Sequence, residues 1–188
     1  MDPNRSVAET TFVAFDFETT GLYPATDKII EFGAVRFRDR QVLGTFDTLV
    51  NPGVAVPAHA AEVSGITEEM LVSHPAVDQA LPGFLEFIAG AVLVAHNAPF
   101  DMSFLRAALE ATGMEDIENP VIDTQVLAQK AYPRMRSYGL QNLVADLGLP
   151  QGNAHRALDD AIMCKELFEN CAEALSFMGE ITLREVLT

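Results

Sequence analysis

The sequence predicts an α/β domain built on a mixed sheet with helices on both faces. Three strand-like runs come first, from Phe12, over Ile29–Arg38 and over Val42–Val50, and their succession implies an antiparallel meander. Asn51-Pro52-Gly53 then breaks the pattern, and the apolar period changes from that of strands to that of helices. Beyond the break, the short apolar runs Val92–Ala95 and Val121–Thr124 each precede a helical stretch, so later strands alternate with helices.

Each element has a local reason. Phe12-Val13-Ala14-Phe15 suits a buried strand, Thr19–Lys28 carries Gly21, Pro24 and Asp27 and reads as a loop, and Asp39-Arg40-Gln41 is short enough for a hairpin. Helical signals begin at Pro57. Thr67 before Glu68 and Glu69 is an N-cap pattern, and Ser73-His74-Pro75 opens a helix running to about Ala89, with a kink or break expected at Pro82. A further helix starts near Pro99. Leu140–Leu147 is helical, Gly148–Asn153 turns, the last long helix spans about Arg156 to Leu175, and Ile181–Thr188 adds a short helix capped by Thr182. Met1–Thr10 is polar and expected to fray.

A chain of 188 residues, 49% hydrophobic, holds one well-buried domain. No apolar run reaches the roughly 20 residues of a membrane span, and the N-terminus lacks the pattern of a signal peptide, which suits a cytoplasmic protein. Cys164 and Cys171 lie seven residues apart on one helix, roughly 10 Å between Cα atoms, too far for a disulfide. No Cys/His cluster suggests zinc. A net charge of −15 argues against coating nucleic acid nonspecifically, yet carboxylates that hold cations can present a locally positive site. Lys130, Arg134 and Arg136 cluster, with Arg156 later; a solvated loop and phosphate contact are both open for them.

The acids carry the chemistry. Asp16 and Glu18 end the first strand with only Phe17 between them, so they share a face roughly 7 Å apart and repel each other. A solvated turn and a metal site are equally open on this stretch alone. Asp101 stands in the first turn of a helix, on the face of Phe104, Leu105 and Ala108; an ordinary first-turn acid would also fit, as would Asn97 as its cap. On the last helix, Asp160 falls roughly 40° from the centre of the stripe Ala157, Ala161, Cys164, Phe168 and Cys171, whereas Asp159 falls roughly 140° away. A buried carboxylate at 160 calls for a cation or strong donors. Four inward acids from distant positions describe oxygen ligands for two Mg²⁺ or Mn²⁺ ions, about 4 Å apart, of the kind that hydrolyse phosphodiesters, with a nearby histidine to take the proton.

FDFETTG at 15 to 21, HNAPFD at 96 to 101 and HRALDDA at 155 to 161 together resemble the three motifs of the DEDDh 3′-to-5′ exonucleases, the group containing the epsilon proofreading subunit of bacterial DNA polymerase III. The resemblance spans Phe12 to about Phe168. It implies a ribonuclease H-like fold with a five-stranded mixed sheet, a three-strand meander plus two parallel strands. It also implies Asp16, Glu18, Asp101 and Asp160 as metal ligands and His155 as general base. Thr19, Thr20, Gly21, Leu22, Asn97 and Phe100 become candidates for contact with the terminal nucleotide, Leu22 as a wedge between bases; plain packing remains open for Leu22 and Phe100. Serine at 64, where many relatives carry histidine before the Gly-Ile of this segment, departs from the family at one substrate contact but not in its chemistry. Residues 11–175 form the expected exonuclease domain, 1–10 a tail and 176–188 a short extension. The expected substrate is the 3′ end of single-stranded or frayed DNA. RNA or short oligonucleotides, and a non-catalytic nucleic-acid or polymerase-binding module, are the alternatives. A DNA polymerase subunit is the protein partner the resemblance suggests, although the last dozen residues are too few for a long polymerase-binding tail.

Overall fold

The computed structural model describes residues 2–176, 179 and 181–187. Strands β1 (Phe12–Thr19), β2 (Ile29–Arg38) and β3 (Gln41–Leu49) form the expected meander. Helices α1 (Ala58–Ser64), α2 (Glu68–Leu71) and α3 (Val77–Ile88) lead to β4 (Val92–Ala95), which is followed by α4 (Ala98–Thr112), β5 (Val121–Asp123) and α5 (Thr124–Ala131). Then come α6 (Leu140–Asp146), α7 (Ala157–Leu175) and α8 (Leu183–Val186). The sheet order is β3-β2-β1-β4-β5. The first three strands pair antiparallel, and β4 and β5 add parallel to β1.

Alternation along β1 feeds two cores. Val13, Phe15 and Phe17 face one side, where Phe15, Phe17, Phe32 and Phe84 pack with ring centroids 4.8–5.9 Å apart under α3 and α4. Phe12 and Ala14 face the other, against Phe37 and Phe168 and under α5 and α7. β4 is buried on both faces, which is why VLVA is a continuous apolar run rather than an alternating one. The β2–β3 hairpin turns on Asp39 and Arg40, both at positive φ, the geometry of a two-residue turn matched to strand twist.

Several boundaries differ from expectation. The helix expected from Pro75 starts at Val77 and runs unbroken across Pro82, because Leu81 and Phe84 are buried and tertiary packing outweighs one missing backbone donor. Thr124 opens a helix instead of ending a strand, as Asp123 caps it by accepting from the Gln125 amide at 2.8 Å. Neither Thr67 nor Asn97 caps with its side chain; Asn97 occupies the left-handed region at φ 59°. The N-terminal residues expected to fray are tied to the C-terminal segment: Val7 donates to Ile181 O at 3.0 Å, Leu183 to Arg5 O at 3.0 Å and Arg184 to Pro3 O at 2.8 Å. Thr182 does precede a helix, its amide donating to Glu185 Oε2 at 2.7 Å. Residues 1, 177, 178, 180 and 188 of the expected tail and extension lie outside the described residues.

Candidate active site

The sheet opens between β1 and β4. Their pairing ends at Ala14 and Val94, and beyond it the Phe17 amide donates to Asp101 Oδ1 at 3.1 Å instead of to a strand. Helix α4 thereby places Asp101, 2% exposed, beneath the end of β1. Asp16 and Glu18 occupy the β1 face opposite Phe15 and Phe17, the side on which α7 packs. A β-bulge follows Glu18, where the register with β2 shifts.

From α7, Asp160 points inward at 5% exposure, held by Gln141 Nε2 donating to Oδ1 at 2.6 Å and the His155 amide donating to Oδ2 at 2.7 Å. Asp159 turns to the neighbouring loop and accepts from the Asn153 amide at 3.0 Å. The His155 backbone is left-handed, φ 63°, and its ring is exposed. Ligand atoms of Glu18, His155 and Asp160 all lie within 4.8 Å of one another. This group includes the histidine and leaves out Asp16 and Asp101.

These groups meet in a cavity of about 570 Å³ lined by Asp16, Glu18, Thr19, Gly21, Leu22, Phe100, His155 and Asp160. Two candidates for nucleotide contact are turned elsewhere. Thr20 is buried, its hydroxyl accepting from the Lys28 amide at 2.9 Å, because it closes the base of the 20–28 loop. Asn97 is exposed outside the cavity, and its amide donates to Asp123 Oδ1 at 3.1 Å. Sequence reasoning missed His59, Ala60 and Val63 of α1, together with His96, Leu140 and Gln141, all of which line the cavity. His96 opens the quoted HNAPFD motif, which was its one available signal. Ser64 is buried, donates to Ala60 O at 2.9 Å and is not among the lining residues.

The electrostatics follow from packing acids together out of water. Burial, then Asp101, Asp160 and Glu18, push the Asp16 carboxyl well above the usual range. Burial and the nearby Asp160 and Glu31 raise Glu18 to about 7, against an opposing pull from Arg156. Burial raises Asp101 to about 8 despite the Phe17 hydrogen bond. Burial also raises Asp160, less so because Gln141 and His155 hydrogen-bond to it. Four carboxylates crowded out of water cannot all ionise without a counter-charge, and their oxygen chemistry suits a hard divalent cation such as Mg²⁺ or Mn²⁺. Of the basic residues singled out by sequence, Arg156 is engaged with Glu31, Lys130 donates to Glu185 O at 2.7 Å, and Arg134 and Arg136 are exposed.

The sequence profile of a family described as Exonuclease (RNase_T) matches residues 13–168, most of the chain and all three acidic motifs. The chain belongs to the Exonuclease family. It is 44% identical over 159 residues to the DNA polymerase III subunit epsilon of Treponema pallidum, covering 84% of this chain and 74% of that protein. It is 42% identical over 183 residues to the PolC-type DNA polymerase III of Thermotoga petrophila, covering 97% of this chain. The chain spans 13% of the length of that PolC-type relative. Among solved structures it is similar to the nuclease domain of 3′hExo, a DEDDh family member bound to rAMP, with TM-score 0.77 and 19% identity over 92% of this chain and 95% of that one. It is also similar to Exonuclease X in complex with 5′ overhanging duplex DNA, with TM-score 0.73 and 23% identity over 95% and 97%. These structural likenesses show the ribonuclease H-like fold expected of a DEDDh exonuclease. Among the described residues, no helix of this family member is long and apolar enough to cross a membrane.

Proposed function

We propose that the chain is a metal-dependent 3′-to-5′ exonuclease that releases nucleoside 5′-monophosphates from single-stranded or frayed DNA ends. The observation that carries this reading is the convergence of Asp16, Glu18, Asp160 and His155 on one open cavity, with Asp101 buried beneath it. Asp16, Glu18, Asp101 and Asp160 would hold two Mg²⁺ or Mn²⁺ ions, which when bound supply activation of water and charge stabilisation for the departing 3′ oxygen. His155 takes the proton from the water that attacks phosphorus, its exposed ring having free exchange with solvent to shed that proton afterwards. Leu22 and Phe100 give the terminal nucleotide an apolar seat, and Thr19 and Gly21 line the same wall.

The likeness to epsilon and to PolC-type polymerases supports a DNA end delivered by a polymerase, and with it a cytoplasmic place of work. Residues 11–175 are the catalytic domain in this reading, and 176–188 an extension. The test is hydrolysis of a 5′-labelled oligonucleotide with Mg²⁺, with Mn²⁺ and with EDTA, on matched DNA and RNA. Products shortening from the 3′ end only with the metals, faster on DNA, are expected. Activity in EDTA or a ladder growing from the 5′ end rejects the mechanism, and preference for RNA replaces the substrate.

A further inference from the structure

Glu31 is a fully buried acid that the proposed reaction leaves unused. It stands in the apolar run IIEFGAV of β2, directly across from Glu18 in the β1–β2 register, and is 1% exposed. A buried carboxylate close enough to raise Asp16 and Glu18 is costly unless something fixed demands it. Its partners all come from one short segment 125 and 126 residues away: Arg156 Nη2 donates to Oε1 at 2.7 Å, Arg156 Nε to Oε1 at 3.2 Å, and the Ala157 amide to Oε2 at 2.9 Å.

That segment carries His155. The histidine amide is held by Asp160 and the amide two residues on is held by Glu31, so the backbone is pinned on both sides of the ring. A non-glycine residue at φ 63° persists only where its surroundings fix it, and these two anchors do so. The β2 strand also lies so close that a Cβ on Gly33 would overlap the Ala157 backbone, so the start of α7 sits directly against β2.

We infer that Glu31 is a positioning residue for the reaction: with Arg156 as its counter-charge, it fixes the 155–157 backbone so that the His155 ring meets Glu18 and Asp160. The inference rests on His155 acting in the proposed exonuclease. Arg156 serves twice, since its charge also offsets the repulsion between Glu31 and Glu18. Misplacing a catalytic group by about 1 Å costs on the order of 100-fold in rate.

The experiment is a double-mutant cycle on the full chain with Glu31→Gln, His155→Ala and the pair, using a 5′-labelled single-stranded oligonucleotide at saturating Mn²⁺. Glu31→Gln is expected to lower kcat about 10–100-fold, with KM within about 2-fold and Mn²⁺ affinity by calorimetry unchanged. In the His155→Ala background the same change is expected to add less than about 2-fold, because the ring it serves is gone. An unchanged kcat in the single variant, a fully multiplicative loss in the pair, or weakened Mn²⁺ binding overturns the inference. A readout independent of turnover is the His155 ring resonance by NMR in the metal-free protein. It is expected to move in Glu31→Gln, and a ring signal that stays put overturns the inference even if the wild-type chain hydrolyses no oligonucleotide. Should Glu31→Gln not fold, Arg156→Gln at the partly exposed end of the pair replaces it with the same expectations.

Discussion

The His155 amide donates to Asp160 Oδ2 at 2.7 Å, so the two residues are joined through the backbone as well as by the cavity they share. Asp160 is therefore both a candidate cation ligand and the anchor of the proposed proton acceptor, whereas the adjacent Asp159 ties down the loop at Asn153. Asp160→Asn is expected to lower single-turnover cleavage of a 5′-labelled oligonucleotide by more than ~100-fold, beyond the loss from a supporting residue. Asp159→Asn should stay within about 3-fold, as partly exposed substitutions away from the chemistry do. The reverse order would assign the wrong carboxylate to the site.

Burial and mutual repulsion set the pH behaviour of the metal-free protein. Glu18 is raised to about 7 and Asp101 to about 8, and a carboxyl whose folded value lies above its unfolded value favours the fold while protonated. That stabilisation is complete below the ordinary carboxylate range and is lost as pH rises through about 7 and 8. Thermal melts in EDTA should therefore show Tm falling from pH 6 to pH 9. Added Mn²⁺ should raise Tm more at pH 8 than at pH 6, because binding then displaces fewer protons. A metal-free Tm that climbs over this range would contradict the crowding of acids.

Much of the site's arrangement is legible in the sequence. Period-two alternation put Asp16 and Glu18 on one face of β1, and 100° steps along α7 chose Asp160 over Asp159, because both rules depend only on local geometry. What local geometry does not encode was missed. Thr20 turns inward because its hydroxyl closes a loop at Lys28, and Asn97 leaves the cavity because a left-handed backbone aims its amide at Asp123. His59 and Val63 reach the cavity because the chain after β3 carries α1 to a wall of the cavity that the end of β1 also lines. Glu31 did leave a signal, an acid inside a buried strand, but its partner Arg156 lies 125 residues away and no pattern joins them.

Gly33 tests the closeness of β2 and α7. A Cβ there would overlap the Ala157 carbonyl carbon and the Leu158 amide, which are backbone and cannot rotate aside. Gly33→Ala should destabilise the protein by about 1–3 kcal/mol in urea unfolding and lower kcat by shifting the start of α7. Gly44→Ala, whose Cβ would meet Phe87 at an ordinary 3.7 Å, is the control and should cost less than about 1 kcal/mol. Equal losses from the two would mean that the approach is looser than the backbone positions require.

Leu22 and Phe100 separate packing from substrate contact, a choice the residue types alone left open. Both line the cavity, but Leu22 is 72% exposed, whereas the Phe100 ring packs on Phe104 at a centroid distance of 5.0 Å. Leu22 has little to lose in the free protein. Leu22→Ala should leave Tm within about 2 °C while raising KM for a single-stranded oligonucleotide about 5-fold, the ~1 kcal/mol of one apolar contact made only when a base covers it. Phe100→Ala should raise KM and also lower Tm, because it removes an aromatic pair that exists without substrate. If Leu22→Ala instead lowered Tm and spared KM, the exposed leucine would be a folding contact and the wedge would have to be sought on α1, where Val63 stands exposed at the same cavity.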